Sequence, residues 1–319
     1  MPALTNVENS AVYAAPKRRK AGLILDIRKN KLLYVMLLPV ILFYILFHYT
    51  PMYGAIIAFK DFSPRLGIMG SDWAGLEHFK TFFTGAYFGR TIKNTLLISF
   101  YQLLFGFPAP IILALLLNEV KHSLFKRTVQ TITYMPHFIS LVVICGIIKD
   151  FTSSEGVIND LIVWLGGTRM TFLLEPGLFR PVYVISGIWQ NIGWGTIIYL
   201  AALTGIDMEQ YEAARIDGAG RWKQLTNITI PGIMPTIVIL LILEVGRMMN
   251  VGFEKIILLY NPSTYETADV VSSYVYRVGL QDFNYSFSSA VGLFNSVVNF
   301  TLLIFSNWMS RKLNDTSLW

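Results

Sequence analysis

The chain has 319 residues, of which 54% are hydrophobic and 14% are Asp, Glu, Lys or Arg, where a soluble domain carries about 25% charged residues. Its apolar residues gather in blocks long enough to cross roughly 30 Å of hydrocarbon, about 20 helical residues each, and this excludes a soluble enzyme. The net charge of +6 lies largely beside those blocks, so it reads as a topology signal and not as a nucleic-acid surface.

Residues 1–31 form a basic tail ending in Lys17, Arg18, Arg19, Lys20, Arg28, Lys29 and Lys31, and the polar first part is expected to be disordered. The apolar run that follows is too long for a signal-peptide core and lacks a cleavage site in the right place. It is expected to stay as an anchor. Helix one is predicted over 32–48, extending toward Phe59, with Pro39 and Pro51 as kink points. A mixed polar and aromatic loop covers 60–90. Helix two is predicted over 92–117 with Pro108 and Pro110 inside it, and helix three over 130–148 with Pro136 and His137 early. Cys145 falls in that third block. As the only cysteine, it can form neither an internal disulfide nor a CxxC site, and it reads as a small buried hydrophobe. Helix four is predicted over 181–203, helix five over 233–249 and helix six over 289–309, before a short tail, 311–319.

The charge bias orients these spans. With the N-terminus inside, four short inside segments hold more than half of the 26 Lys and Arg residues. That favours cytoplasmic termini.

The connection 205–231 is the most informative stretch. Asp207 followed by Gln210 fits a capping box. Met208 to Asp217 is rich in helix formers, Gly218 suits a left-handed stop, and a second short helix is expected from Arg221 to just before Pro231. A helix pair of this kind can lie across the mouth of a bundle and face a partner. Ala213 and Ala214 allow close approach, while Glu212 and Asp217 offer charge. An ordinary polar turn is the competing reading of the same residues.

Glu212-Ala213-Ala214, then Asp217-Gly218-Ala219, then Ile228 and Pro231 resemble the signature loop of binding-protein-dependent ABC importer permeases. The resemblance covers about 32–310 and implies an all-α, polytopic membrane protein with the six-helix type I importer transmembrane domain. It implies that the loop is the coupling helix, with Glu212, Ala213, Ala214, Asp217 and Gly218 docking on an ATPase subunit. Trp222 stands slightly earlier than the Phe of many relatives. Gly252-Phe-Glu-Lys-Ile256 and Ala268 to Tyr276 resemble the polysaccharide branch, the lipopolysaccharide-type or multiple-sugar permeases of Gram-positive bacteria. The partners so implied are a second homologous permease, two ATP-binding subunits that carry ATP and magnesium, and an extracellular solute-binding lipoprotein. The cargo implied is an oligosaccharide, derived from a polysaccharide, and Arg247 leaves room for an acidic one.

No phosphate loop of the GxxxxGK[ST] type and no HExxH or GxSxG motif occurs in the chain. His48, His78, His122 and His137 are too scattered for a site. A non-catalytic subunit in a bacterial cell membrane is therefore expected. Its candidate substrate path follows from polar and aromatic residues inside apolar helices. Trp189, Gln190, Asn191, Trp194 and Tyr199 in helix four supply hydrogen bonds and stacking faces, although Trp189 and Trp194 also suit interfacial anchors. Glu244 and Arg247 are placed on one face of helix five by their spacing, with Asn250 close by. A structural ion pair is the alternative there. Gly187, Gly193, Gly195 and Gly205 are expected at close helix contacts. Two rival functions stay open at this point. A secondary transporter would need an ion site at broken helices or repeats. A non-transporting scaffold would keep the docking loop but no solvent path.

Overall fold

The computed structural model describes residues 23–314 and 317–318. The basic cluster from Lys17 to Lys20 and the expected disorder of the first residues lie outside them. The chain divides into two compact units, Met1–Gly54 and Ala55–Trp319.

The helical run α1 (Lys31–Phe59) begins in the first unit and ends five residues into the second, and it has the length and hydropathy of a membrane span. Among the described residues, the regular structure of the second unit is helical apart from one two-residue strand pair, Lys60–Asp61 with Asp72–Trp73. Its long helices are α2 (Phe88–Glu119), the bent pair α3 (Ser123–Phe138) and α4 (Leu141–Phe151), α5 (Pro176–Thr204), α7 (Arg221–Val245) and α10 (Tyr285–Asn314). Short helices α6 (Met208–Ile216), α8 (Phe253–Leu259) and α9 (Val271–Tyr276) sit in the connections. Among the described residues, four helices are long and apolar enough to cross a membrane, or five with the bent pair. α5 has the length but not the mean hydropathy, because Gln190, Asn191 and its glycines interrupt the apolar run. Large apolar side chains such as Leu104, Ile112, Ile132, Ile185 and Phe300 point outward. An apolar exterior over polar contacts inside is the solution for a bundle dissolved in lipid. The chain is an all-α, multi-spanning membrane protein.

Prolines shape the spans in a regular way. Single π-turns occupy Ile45–Tyr49, Gln102–Gly106 and Leu225–Thr229. Each ends two residues before a proline: Pro51, Pro108 and Pro231. A proline ring clashes with the carbonyl four residues back. An i→i−5 turn, such as Phe107 N to Gln102 O at 3.0 Å, moves that carbonyl aside and keeps the helix running. For this reason the second half of 205–231 is not a separate helix ending before Pro231. It runs on into α7. Pro136 acts differently. It sits in a 3-10 turn, Ser140 caps the next helix in an extended conformation, and the predicted third helix breaks into α3 and α4 at an angle of 105°.

α5 is the central post, packed on α2, α3 and α7. Three apolar clusters form the core, and two of them include α5 side chains. One joins Ile98, Cys145, Phe179, Tyr183 and Ile256, so Cys145 is the small core residue expected. The second gathers around Phe82, Met249 and Val291. The third joins Ala114, Tyr199, Leu203 and Ile233.

The glycines explain the closeness of α5 to its neighbours. A Cβ on Gly193 would run into the Thr133 backbone of α3, and one on Gly195 would stand 2.9 Å from Pro110 of α2. Gly193→Ala is therefore expected to destabilise the bundle by about 1–3 kcal/mol, the usual cost of overpacking. Gly292→Ala, with no atom within 4 Å of the added Cβ, should leave thermal unfolding in detergent unchanged. Equal melting temperatures for the two variants would refute this account.

Candidate functional site

Two places draw the expected residues together. The first is the exposed turn between α5 and α7. Asp207 caps α6 by accepting from Glu209 N at 3.0 Å, the side-chain cap expected; Gln210 bonds through its backbone, its N–H donating to Asp207 O at 3.3 Å, so the return bond of the capping box is not made among the described residues. α6 ends at Gly218, whose φ is +73°. Its stop is sealed by Ala219 N to Ala214 O at 2.8 Å and Gly218 N to Arg215 O at 3.1 Å, the pattern of a left-handed helix cap. Glu212, Ala213, Asp217 and Gly218 are exposed, and Ala214 is half-buried. Ile216, 87% exposed, and Trp222, 76% exposed, stand beside them. Ile216 was not singled out by the sequence, because an isoleucine in a short helix reads as core.

This turn is braced against the bundle. Tyr211 Oη and Thr229 Oγ1 share a hydrogen bond of 2.9 Å. Gln224 Nε2 donates to Ala219 O at 2.7 Å. Thr229 is buried at the root of α7. A push on α6 therefore reaches α7 through side-chain hydrogen bonds as well as through the chain.

The second place is a cavity of about 400 Å³ between α2, α5 and the end of α7. Asn191, Trp194, Tyr199, Glu244 and Arg247 all line it. The other three path candidates do not. Trp189 faces an apolar crevice beside Ile148 and Phe151 on the opposite side of α5, because five residues along a helix turn a side chain well over a hundred degrees away. Gln190 is half-buried outside that lining. Asn250 accepts from Asn295 Nδ2 at 2.9 Å and Asn299 Nδ2 at 3.1 Å, so it is tied to α10.

The wall at Asn191 is ordered by a relay. Asn191 Nδ2 donates to Gly187 O at 3.1 Å, its Oδ1 meets His137 Nδ1 at 3.1 Å, and the His137 ring stacks on Trp194 with centroids 4.6 Å apart. The His137 bond joins α3 to α5 and orients the cavity wall. Gln102 joins the lining from the π-turn of α2, a helix irregularity common at functional sites.

Arg247 does not lie within a helix. α7 ends at Val245, and 246–252 is non-helical. Gly246 starts the break; a Cβ there would meet Leu303 at 2.6 Å. Glu244 is thus in the last turn and Arg247 beyond it. Both still face the cavity, and no ion pair within 4 Å joins them among the described residues. The freed backbone of the break must find partners. Ser99 donates to Met248 O, Met249 N donates to Asn299 Oδ1 at 2.9 Å, and Ser272 Oγ donates to Val251 O at 2.8 Å. A non-helical stretch inside a bundle is tolerated where it is so satisfied or lines a cavity.

No group of His, Cys, Asp and Glu that would hold a metal occurs among the described residues. The site offers hydrogen bonds, aromatic faces and charge, the means of binding and passing a polar solute.

Comparison with known proteins shows the family. Residues 106–315 match the family model described as binding-protein-dependent transport system inner membrane component. The chain is 46% identical over 293 residues to protein LplB of Bacillus subtilis, covering 92% of each chain. It is 43% identical over 312 residues to the polygalacturonan/rhamnogalacturonan transport system permease protein YteP of the same organism, covering 98% of this chain and 97% of that one. Its fold superposes on a chain of the crystal structure of a bacterial alginate ABC transporter in complex with an alginate pentasaccharide-bound periplasmic protein. The TM-score there is 0.86 at 47% identity, over 93% of this chain and 99% of the other. Members of this family are non-catalytic subunits, and ATP hydrolysis resides in separate partner proteins. The chain belongs to the binding-protein-dependent transport system inner membrane component family, the transmembrane permease subunits of ABC importers.

Proposed function

We propose that this permease carries an acidic oligosaccharide, a fragment of a plant or algal polysaccharide, through the cavity between α2, α5 and α7. The convergence of Asn191, Trp194, Tyr199, Glu244 and Arg247 on one cavity carries the reading. Sugars are held by hydrogen bonds to hydroxyls and by aromatic contact on their apolar faces. The relatives support the chemical class: one transports polygalacturonan and rhamnogalacturonan, and another transports alginate.

Six spans and cytoplasmic termini are part of this proposal. The bent pair α3 and α4 makes one span and α5 another, which adds two to the four apolar helices. α6 then lies at the cytoplasmic mouth. Glu212, Ala213, Ala214, Asp217 and Gly218 dock there on an ATPase subunit, and Ile216 and Trp222 add apolar contact. A second homologous permease completes the pathway, two ATP-binding subunits carry ATP and magnesium, and a solute-binding lipoprotein delivers the sugar. ATP-driven closure of the ATPases moves α6, and α6 moves α7 through Tyr211, Thr229 and Gln224. Two states of the cavity are thereby exchanged.

The test is ATP hydrolysis by the complete complex in liposomes, with oligouronides added through the binding protein. Several-fold stimulation is expected. Trp194→Ala should raise the half-stimulating sugar concentration about ten-fold, the loss expected when an aromatic contact of a binding site is removed. A complex that hydrolyses ATP at the same rate with and without sugar would overturn the sugar path and leave a different imported solute or the scaffold reading.

A further inference from the structure

Lys255 stands outside both the docking turn and the cavity lining. It sits on α8 and is 6% exposed. Its Nζ donates to Tyr183 O at 3.1 Å and lies 4.9 Å above the Tyr183 ring. An ammonium has three donors, and this is its one hydrogen bond among the described residues. No carboxylate lies within 4 Å of it among those residues. A buried cation without a counter-charge is costly. Burial accordingly pulls this ammonium down to about 8, with only Cys145 nearby to oppose the shift.

The position of the charge explains what it gains. Nζ lies 3.5 Å from the point where a Cβ on Gly187 would stand, and Gln102 Nε2 lies 3.9 Å from the same point. Gly187 and Gln102 both line the cavity. α5 is therefore bare of side chain at the place where the ammonium comes up behind it. Arg247 faces the same cavity, but Glu244 faces it too and offsets that charge. Lys255 has no such neighbour. In a low-dielectric wall, a charge behind one layer of backbone still acts strongly on an ion in front of it.

We propose that Lys255 is a specificity-determining residue of the transport pathway, holding the carboxylate of a uronic acid at the Gly187 window beside Gln102 Nε2. The proposal rests on the reading of this cavity as the sugar path. The empty counter-charge position is filled by the substrate during passage. A neutral sugar leaves it unfilled and is disfavoured.

The experiment uses the complete complex with one binding protein throughout. A pool of galacturonate and alginate oligomers is compared with the same pool after methyl esterification. The readout is the ratio of half-stimulating concentrations for ATP hydrolysis, ester over acid. Because the binding protein is common to all samples, its own preference cancels between variants. Lys255→Met should lower the ratio about ten-fold, the effect of losing one close charge partner, and Lys255→Arg should keep most of it. Gly187→Ala adds a methyl at ordinary contact distance from Lys255, so it preserves the fold while closing the window. It should lower the ratio in the same direction even if Lys255→Met fails to assemble. An unchanged ratio in Gly187→Ala together with an unchanged ratio or failed assembly in Lys255→Met would reduce Lys255 to a hook on the Tyr183 carbonyl, and the cavity reading would survive. A parent complex stimulated by neither pool would overturn the carbohydrate path and this inference together.

Discussion

Gly218→Leu is expected to cut sugar-stimulated ATP hydrolysis by the reconstituted complex about ten-fold while leaving the thermal stability of the helical bundle intact. The position has a φ of +73°, and an added Cβ would meet nothing within 4 Å. Sterics with neighbours therefore play no part. The whole effect comes from the backbone, where a left-handed conformation costs an L-residue about 1–2 kcal/mol. That cost shifts the turn toward conformations in which α6 does not stop at Asp217. The bonds from Gly218 N and Ala219 N back to α6 are then lost, and the exposed group formed by Glu212, Ala213, Ile216 and Asp217 changes shape. About 1.4 kcal/mol is a factor of ten in population, which sets the size of the loss. Gly218→Asn is the matched control, because Asn tolerates the left-handed region better than Leu, and it should recover most of the activity. Equal activity in Gly218→Leu and the parent would show that α6 does not have to hold this shape to couple.

The stop at Gly218 was legible because its signals are local: an Asp cap, the helix formers from Met208 to Asp217, then glycine. The spans were legible for the same reason, since hydropathy over about 20 residues needs no tertiary information. The end of α7 was hidden. Apolar residues continue through Met248 and Met249, so the hydrophobic run outlasts the helix. The features that end it are distant in sequence: Leu303 against Gly246, and Ser99, Ser272 and Asn299 on the freed backbone. The break after Pro136 was half visible, because the proline marked the place but not its 105° angle. Within α5, composition did not separate Trp189 from Trp194. Their order around the helix axis puts one against an apolar crevice and the other at the cavity. Lys255 was visible only as part of the Gly252–Ile256 stretch, and its role was hidden because nothing local to that stretch shows that the lysine is buried.

The same logic gives the largest stability effect in the molecule to Asp269. Its carboxylate is fully buried and accepts from Arg277 Nη2 at 2.7 Å, Arg90 Nη2 at 3.2 Å and Ser273 Oγ at 2.8 Å. Its backbone carbonyl accepts from Asn94 Nδ2 at 2.9 Å, and Arg180 Nη2 donates to that asparagine's Oδ1 at 2.8 Å. One negative charge thus fastens the connection before α9 to α2, and through Asn94 to α5. Replacing it removes the acceptor and leaves two half-buried arginines facing each other. Breaking a buried ion pair from one side costs about 3–5 kcal/mol. Asp269→Ala should therefore lower the midpoint of thermal unfolding in detergent markedly and reduce the yield of assembled complex. Asp160→Ala is the comparison, because the Asp160–Arg169 pair is open to solvent on both sides and such pairs contribute under about 1 kcal/mol. If the two variants unfold at the same temperature, the Asp269 network adds no more than a surface contact. If Asp269→Ala alone falls, a further substitution of Arg277 by Met should recover part of the loss, because the uncompensated charge, and not the missing contact, then carries most of the cost.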